Sequence, residues 1–178
     1  MTNKAQHHAD ARRVEDARLI TGAGKYAADW SQPGQLHAAF VRSDRAHAEI
    51  VSVGTKKAVS SPGVKAVFTG EDAVPAAYVK APHTMGFVGK NGMKARSPER
   101  PVLAHKRVRF VGEAVALGVA DSGGAAEDAA ELVEVEYREL NCVTDPEAAL
   151  AEGAPLLADE IPGNLAWEAE IGDQHAVE

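Results

Sequence analysis

Histidines, the cysteine and clustered carboxylates have the most chemistry to offer in this chain, so their spacing is the first question. There are seven histidines and one cysteine among 178 residues. His7 and His8 are adjacent and could touch a metal, but no further ligands sit at useful spacing, and the segment reads as a polar tail. His37 and His47 lie on or beside expected strands. Either could act as a base, yet neither has a serine, cysteine or carboxylate partner that the sequence can place, so packed or solvated rings are expected. A single cysteine, Cys142, excludes an internal disulfide and any multi-cysteine metal site. Acids surround it and nothing nearby would lower its pKa, which argues against a nucleophile.

Glu127, Asp128, Glu131, Glu134 and Glu136 form an acidic run that maps to the outer faces of one helix and one strand. Arg107 and Arg109 share a strand face beside Lys106; they could meet a phosphate or an acidic partner, or be an ordinary exposed face. Glu113 follows Gly112 and reads as a strand-start residue. Gly22-Ala23-Gly24-Lys25-Tyr26-Ala27 fits the dinucleotide pattern G-x-G-x-x-A. That mechanism needs a hydrophobic strand before it and a helix after it. The residues before it, Asp16 to Ile20, are too few and too polar, and Pro33-Gly34 ends any helix after it. A glycine-shaped turn is the expectation.

The elements that would position these residues follow from periodicity. Gln35–Arg42 and Ala48–Val53 read as strands, Thr55–Ser60 as a short helix, and Val64–Thr69 as a buried strand. Glu71-Asp72 can open one more helical turn. Residues 73–101, with Pro75, Pro82, Pro98 and Pro101, keep no period and form a long loop of the kind usually ordered by function or by a partner. Arg107–Phe110 alternates as a strand, and Ala114–Ala120 is continuously apolar, as in a central strand. Ala126, Ala129, Ala130 and Val133 form one helical face. Val133, Val135 and Tyr137 then alternate as a strand. Asp145-Pro146 caps a short helix ending near Ala151, and Leu165–Ile171 is a last strand candidate. The strand–helix–strand units permit parallel crossovers and the short links permit hairpins, so the expected class is a mixed-sheet α/β or α+β domain.

Composition bounds what this can be. Net charge is −7, which disfavours nucleic acid because phosphate contacts need Lys and Arg. No run approaches the roughly 18 apolar residues of a membrane span, and residues 1–10 have no apolar signal core, so a cytoplasmic location is expected. Alanine fills about one position in five, while aromatics are 5%. A core of Ala and Val is thin, which suggests extra burial against a neighbour.

Several strings together carry a resemblance. They are Arg13-Val14-Glu15-Asp16-Ala17-Arg18-Leu19-Ile20-Thr21-Gly22, then Gly24-Lys25-Tyr26 with Asp29, then Phe40-Val41-Arg42-Ser43 with Ala46-His47-Ala48. Pro62-Gly63-Val64, Phe68-Thr69-Gly70 and Pro101-Val102-Leu103-Ala104 come next. Val108 to Ala116 and Glu127-Asp128-Ala129-Ala130-Glu131 complete the set. In this order and spacing they resemble the N-terminal α/β-hammerhead domain of the xanthine dehydrogenase and aldehyde oxidase family. More narrowly, they resemble the molybdopterin-binding large subunit of bacterial members, which include carbon monoxide dehydrogenase.

The resemblance implies a molybdenum hydroxylase complex. Such a complex oxidises an aldehyde, an N-heterocycle or a similar small substrate with water, and passes electrons to [2Fe-2S] clusters and FAD. It implies molybdopterin cytosine dinucleotide in the complex, and partners that carry the rest of the large subunit, the iron–sulfur clusters and the flavin. The family's pterin-binding segments and catalytic glutamate lie in the domain that follows. No catalytic, cofactor or metal residue is therefore carried onto this chain, and no cofactor is expected on it alone.

The expected division is a tail over 1–11, the hammerhead over 12–163, and over 164–178 a linker and the start of the next domain, with Asp173 capping its first helix. On this reading the chain is a split-off or separately encoded first domain. Arg13, Asp16, Arg18, Arg109 and Glu113 are the interface candidates. Two alternatives are a stand-alone protein-binding or assembly module and a nucleotide-binding oxidoreductase built on Gly22–Ala27.

Overall fold

The computed structural model describes residues 13–74, 78–79, 88–98, 100–170 and 172. The expected tail and the expected helix at Asp173 lie outside these residues. The chain divides into two compact units, 1–35 and 36–178.

In the first unit, α1 covers Asp16–Ile20 and a 3-10 turn covers Ala27–Asp29. The Tyr26 N–H donates to Asp29 Oδ2 at 2.8 Å, and the Lys25 ammonium sits 5.0 Å from the Trp30 ring centre. Val14 is 97% exposed and Ile20 84%. With so little apolar surface buried, local bonds hold this unit's shape.

The second unit carries the strands. They are β1 His37–Arg42, β2 Ala48–Gly54, β3 Val64–Thr69, β4 Tyr78–Val79, β5 Arg100–Pro101, β6 Arg107–Val108, β7 Ala114–Ala120 and β8 Glu134–Glu139. Its helices are α2 Lys56–Val59, α3 Gly70–Ala73, α4 Gly123–Glu131 and α5 Pro146–Ala149. The first sheet has the order β1-β7-β3, the second β6-β2-β8, and β4 pairs β5. Every ladder described is antiparallel. The crossovers that the sequence left open to parallel pairing instead change sheets. β2-α2-β3 leaves the second sheet for the first, and β7-α4-β8 returns.

α4 lies on one face of the first sheet because its inner side is made of small residues. Ala126 and Ala129 are buried, and a Cβ on Gly118 of β7 would stand 3.4 Å from Ala129 Cβ. The helix starts where the sequence indicated, with Ser122 Oγ accepting the Ala125 N–H at 3.2 Å. Replacing Ser122 by alanine orphans that donor, and chemical denaturation should show a loss of about 1 kcal/mol. α5 begins with Asp145 accepting the Ala148 N–H at 2.7 Å and Pro146 in the first turn.

The core is two small linked clusters. Ala48, Ala104, Val108 and Val115 form one; Ala58, Ala116, Ala129 and Val133 form the other. Val53 and Val135 pack against both. The largest fully buried side chains are Val108 and Val115, so the core is as thin as the composition implied.

Two expected strands end differently. The strand expected over 107–110 stops at Val108, because the chain turns through Phe110 to Glu113. No strand forms over 165–170 among the described residues. There, only two separated amides reach the segment, from Lys90 to the Glu168 carbonyl and from Arg96 to the Ala166 carbonyl, both at 2.9 Å. Two bonds from an irregular partner do not make a ladder. They do anchor the described part of the long loop to its own chain.

Candidate functional site

Arg109 and Glu113 meet in one polar clasp where the end of β1 touches the turn before β7. Gly112, at φ +93°, allows that turn, and its N–H donates to the Ser43 carbonyl at 2.7 Å. The Ser43 N–H returns a bond to the Glu113 carbonyl at 2.9 Å, and Arg42 Nη1 donates to the Gly112 carbonyl at 2.8 Å. Glu113 Oε2 accepts the Arg109 N–H at 2.5 Å. Arg109 Nε in turn donates to the Leu157 carbonyl at 3.0 Å.

Burial pushes the Glu113 carboxyl above its ordinary pKa, and the Arg109 amide and guanidinium oppose this only in part. Tyr137 on β8 is also raised, first by burial; a Ser43 hydrogen bond opposes it, and the Asp44 charge adds to it. The folded chain thus holds the Glu113 proton more tightly than the unfolded chain does. Stability from this group is fully present below the usual value near 4.5 and is lost as pH rises through the folded value. Glu113→Gln keeps an acceptor for the Arg109 amide but cannot ionise. Measured by urea unfolding, the wild type should lose stability relative to this variant as pH rises above about 4.5.

His47 is buried at 5% exposure and its Nδ1 lies 2.7 Å from the Asn141 carbonyl. A carbonyl only accepts, so Nδ1 carries a proton, and Nε2 is buried without a hydrogen-bond partner. This is a packed ring, as expected. His37 is exposed at the start of β1. Cys142 is exposed and free, and the acidic run 127–136 lies on outward faces, with Glu134 paired to Lys57.

Arg107 and Arg109 line a cleft of ≈ 530 Å³ with Val74, Pro101, His105, Lys106 and Glu160. The arginines are already committed within the chain, Arg107 to Asp159 at 3.2 Å and Arg109 to Leu157. Their first role is therefore to hold 157–159 against the β6 end. Sequence reading had no signal for this, because 48 and 52 residues separate the partners. The buried Nδ1 of His105, without a partner, was equally invisible.

The other interface candidates belong to the first unit. Arg13 and Arg18 are exposed and Asp16 is half-buried at the start of α1, where its N–H donates to the Arg13 carbonyl at 3.0 Å. The G-x-G-x-x-A segment follows a five-residue helix and runs into a three-residue 3-10 turn. Gly22 sits at φ +71°, a turn glycine. Neither the strand nor the helix of a dinucleotide site is present there, so that alternative loses its physical basis.

Among the described residues no three His, Cys, Asp or Glu side chains converge to hold a metal. A [2Fe-2S] cluster takes four protein ligands, usually thiolates, and the chain's single cysteine does not fit that group. The clasp ties the Glu113 carboxylate, the Arg109 amide and the Ser43 backbone into one fixed turn.

The architecture defines an α+β domain of two three-stranded antiparallel sheets bridged by crossover helices, with β4 and β5 as a further antiparallel pair. Residues 21–141 match the family described as the aldehyde oxidase and xanthine dehydrogenase a/b hammerhead domain, and the chain belongs to that family. It is 43% identical over 164 residues to the nicotine 6-hydroxylase large subunit of Paenarthrobacter nicotinovorans, covering 90% of this chain and 19% of that protein. It is 41% identical over 154 residues to the carbon monoxide dehydrogenase large chain of Afipia carboxidovorans, covering 86% and 18% respectively. The crystal structure of quinoline 2-oxidoreductase from Pseudomonas putida superposes with a TM-score of 0.74 at 43% identity, covering 88% of this chain and 19% of that one. The chain thus spans about a fifth of the length of the relatives it matches. No helix described is long and apolar enough to cross a membrane.

Proposed function

We propose that this chain is the hammerhead portion of a molybdenum hydroxylase large subunit and acts as a structural and interface element without catalytic residues. The observation that carries this is the joint match in sequence and fold, 43% identity over 90% of the chain to one such large subunit and a TM-score of 0.74 to another oxidoreductase. The assembly would oxidise an aldehyde, an N-heterocycle or a similar small substrate with water.

Molybdopterin cytosine dinucleotide would sit in the remainder of the large subunit. The [2Fe-2S] clusters and FAD would sit on partner subunits, and the complex would work in the cytoplasm. Residues 12–163 form the hammerhead in this reading, and 164–178 lead to the next domain. Arg13, Asp16 and Arg18 contact the partner domain, while Arg109 and Glu113 keep the clasp in shape beside it.

The test is to purify the source organism's hydroxylase with and without residues 12–163. With them, molybdenum, iron and flavin should co-purify in stoichiometric amounts. Assembly and cofactor loading that proceed equally well without them would overturn the reading.

A further inference from the structure

We propose that the face of the first sheet turned away from α4 is the surface against which the rest of a molybdenum hydroxylase large subunit packs, an inference that rests on the chain being part of such a subunit. Side chains alternate across a sheet, and the register assigns them. Ala116, Val41 and Val67 pack with Ala129 of α4, and Gly118 approaches that helix closely. The opposite face then carries two cross-strand rows. One is Ala38–Val119–Ala66 and the other Phe40–Leu117–Phe68.

All six residues are apolar. A sheet face built for water alternates to polar side chains, and this one does not. The neighbouring Val115 points the same way and is fully buried against Ala48, Ala104 and Val108. The second sheet therefore covers only that end. Beyond it, Phe40 is 47% exposed and Phe68 45%. Arg42 lies 5.2 Å from the Phe40 ring centre and donates to Gly112, tying the patch to the turn that exposes Phe110 and Val111. A contiguous apolar patch of this kind marks an interaction surface.

Length and charge identify the occupant. The same domain occurs at about 40% identity within chains roughly five times longer, so in those proteins most of the polypeptide lies outside it. A second copy of this chain is the poorer fit, because each copy brings a net charge of −7 to the contact. The six residues of the two rows carry no charge, with the Arg42 guanidinium stacked on Phe40 at their edge, so the complement is a mainly apolar face.

Hydrogen exchange on the purified large subunit or complex provides the test, with the 178-residue chain alone as reference. Amides of β1, β3 and the 115–119 segment should gain protection in the assembly. Phe40→Ser with Phe68→Ser, both at half-exposed sites, should leave the isolated chain folded by circular dichroism and weaken its association about 30-fold or more. An assembly that forms normally with the double variant, with protection gained elsewhere, overturns this face and leaves the functional reading intact. No assembly with wild-type chain overturns both. A dimer of the isolated chain that the double variant abolishes makes the second copy the occupant and overturns the proposal.

Discussion

Gly70→Ala should destabilise the domain by about 3 kcal/mol, near the top of the range for overpacking. Gly70 opens α3 where the chain from Ala104 to His105 crosses it. A Cβ there would stand 2.3 Å from the Ala104 carbonyl oxygen and 2.6 Å from His105 Cα. Both are backbone atoms, so no side-chain rotation relieves the clash. Ala104 belongs to one core cluster and its N–H donates to the Ala114 carbonyl at 2.7 Å, so displacing it disturbs β7 as well. For a chain of this size the loss corresponds to a melting point lower by roughly 6–12 °C. Gly124→Ala is the matched control. Gly124 lies in the first turn of α4 with nothing within 4 Å of a Cβ, and alanine there should stabilise by about 0.5–1 kcal/mol. Equal effects from the two substitutions would refute the steric argument.

The second large effect is expected at Gly118. Its missing side chain lets α4 settle on β7, with a Cβ placed 3.3 Å from the Ala126 carbonyl and 3.4 Å from Ala129 Cβ. A valine adds a Cβ and its two methyl groups to that gap and must push the helix off the sheet, costing about 2–3 kcal/mol. Thermal unfolding measures it. A double-mutant cycle separates contact from propensity: Gly118→Ala and Ala129→Gly should couple favourably, by about 0.5–1 kcal/mol, because the second removes the atom the first collides with. Additive effects would show that α4 tolerates the extra volume by moving.

Much of the local structure was legible in the sequence. Val64–Thr69 and Ala114–Ala120 form strands with the expected ends. The Ala126, Ala129 and Val133 face is the buried one, and Asp145-Pro146 starts a helix. These features are encoded within about ten residues, through hydrophobic period and capping chemistry. The family resemblance drew on the same local strings and agrees with the match over 21–141. The failed strand at 165–170 shows the limit, because alternation there met only an irregular partner.

Sheet membership, by contrast, was decided by tertiary contacts. Nothing in β2-α2-β3 or β7-α4-β8 says that each crossover changes sheets, since pairing depends on strands far apart in the chain. His47 finds its carbonyl at Asn141, 94 residues away, and Arg42 reaches Gly112 across 70. Glu113 illustrates both levels. Its place at a strand start beside a glycine turn was readable from its neighbours. Its raised pKa comes from burial, which only the assembled sheets supply. The sequence by itself thus determined most of the regular elements of the second unit, the thin Ala and Val core and the absence of a cysteine cluster. The tertiary structure alone decided the antiparallel pairing, the clasp and the uncovered Phe–Leu–Phe row, because those depend on contacts between residues that local periodicity cannot relate.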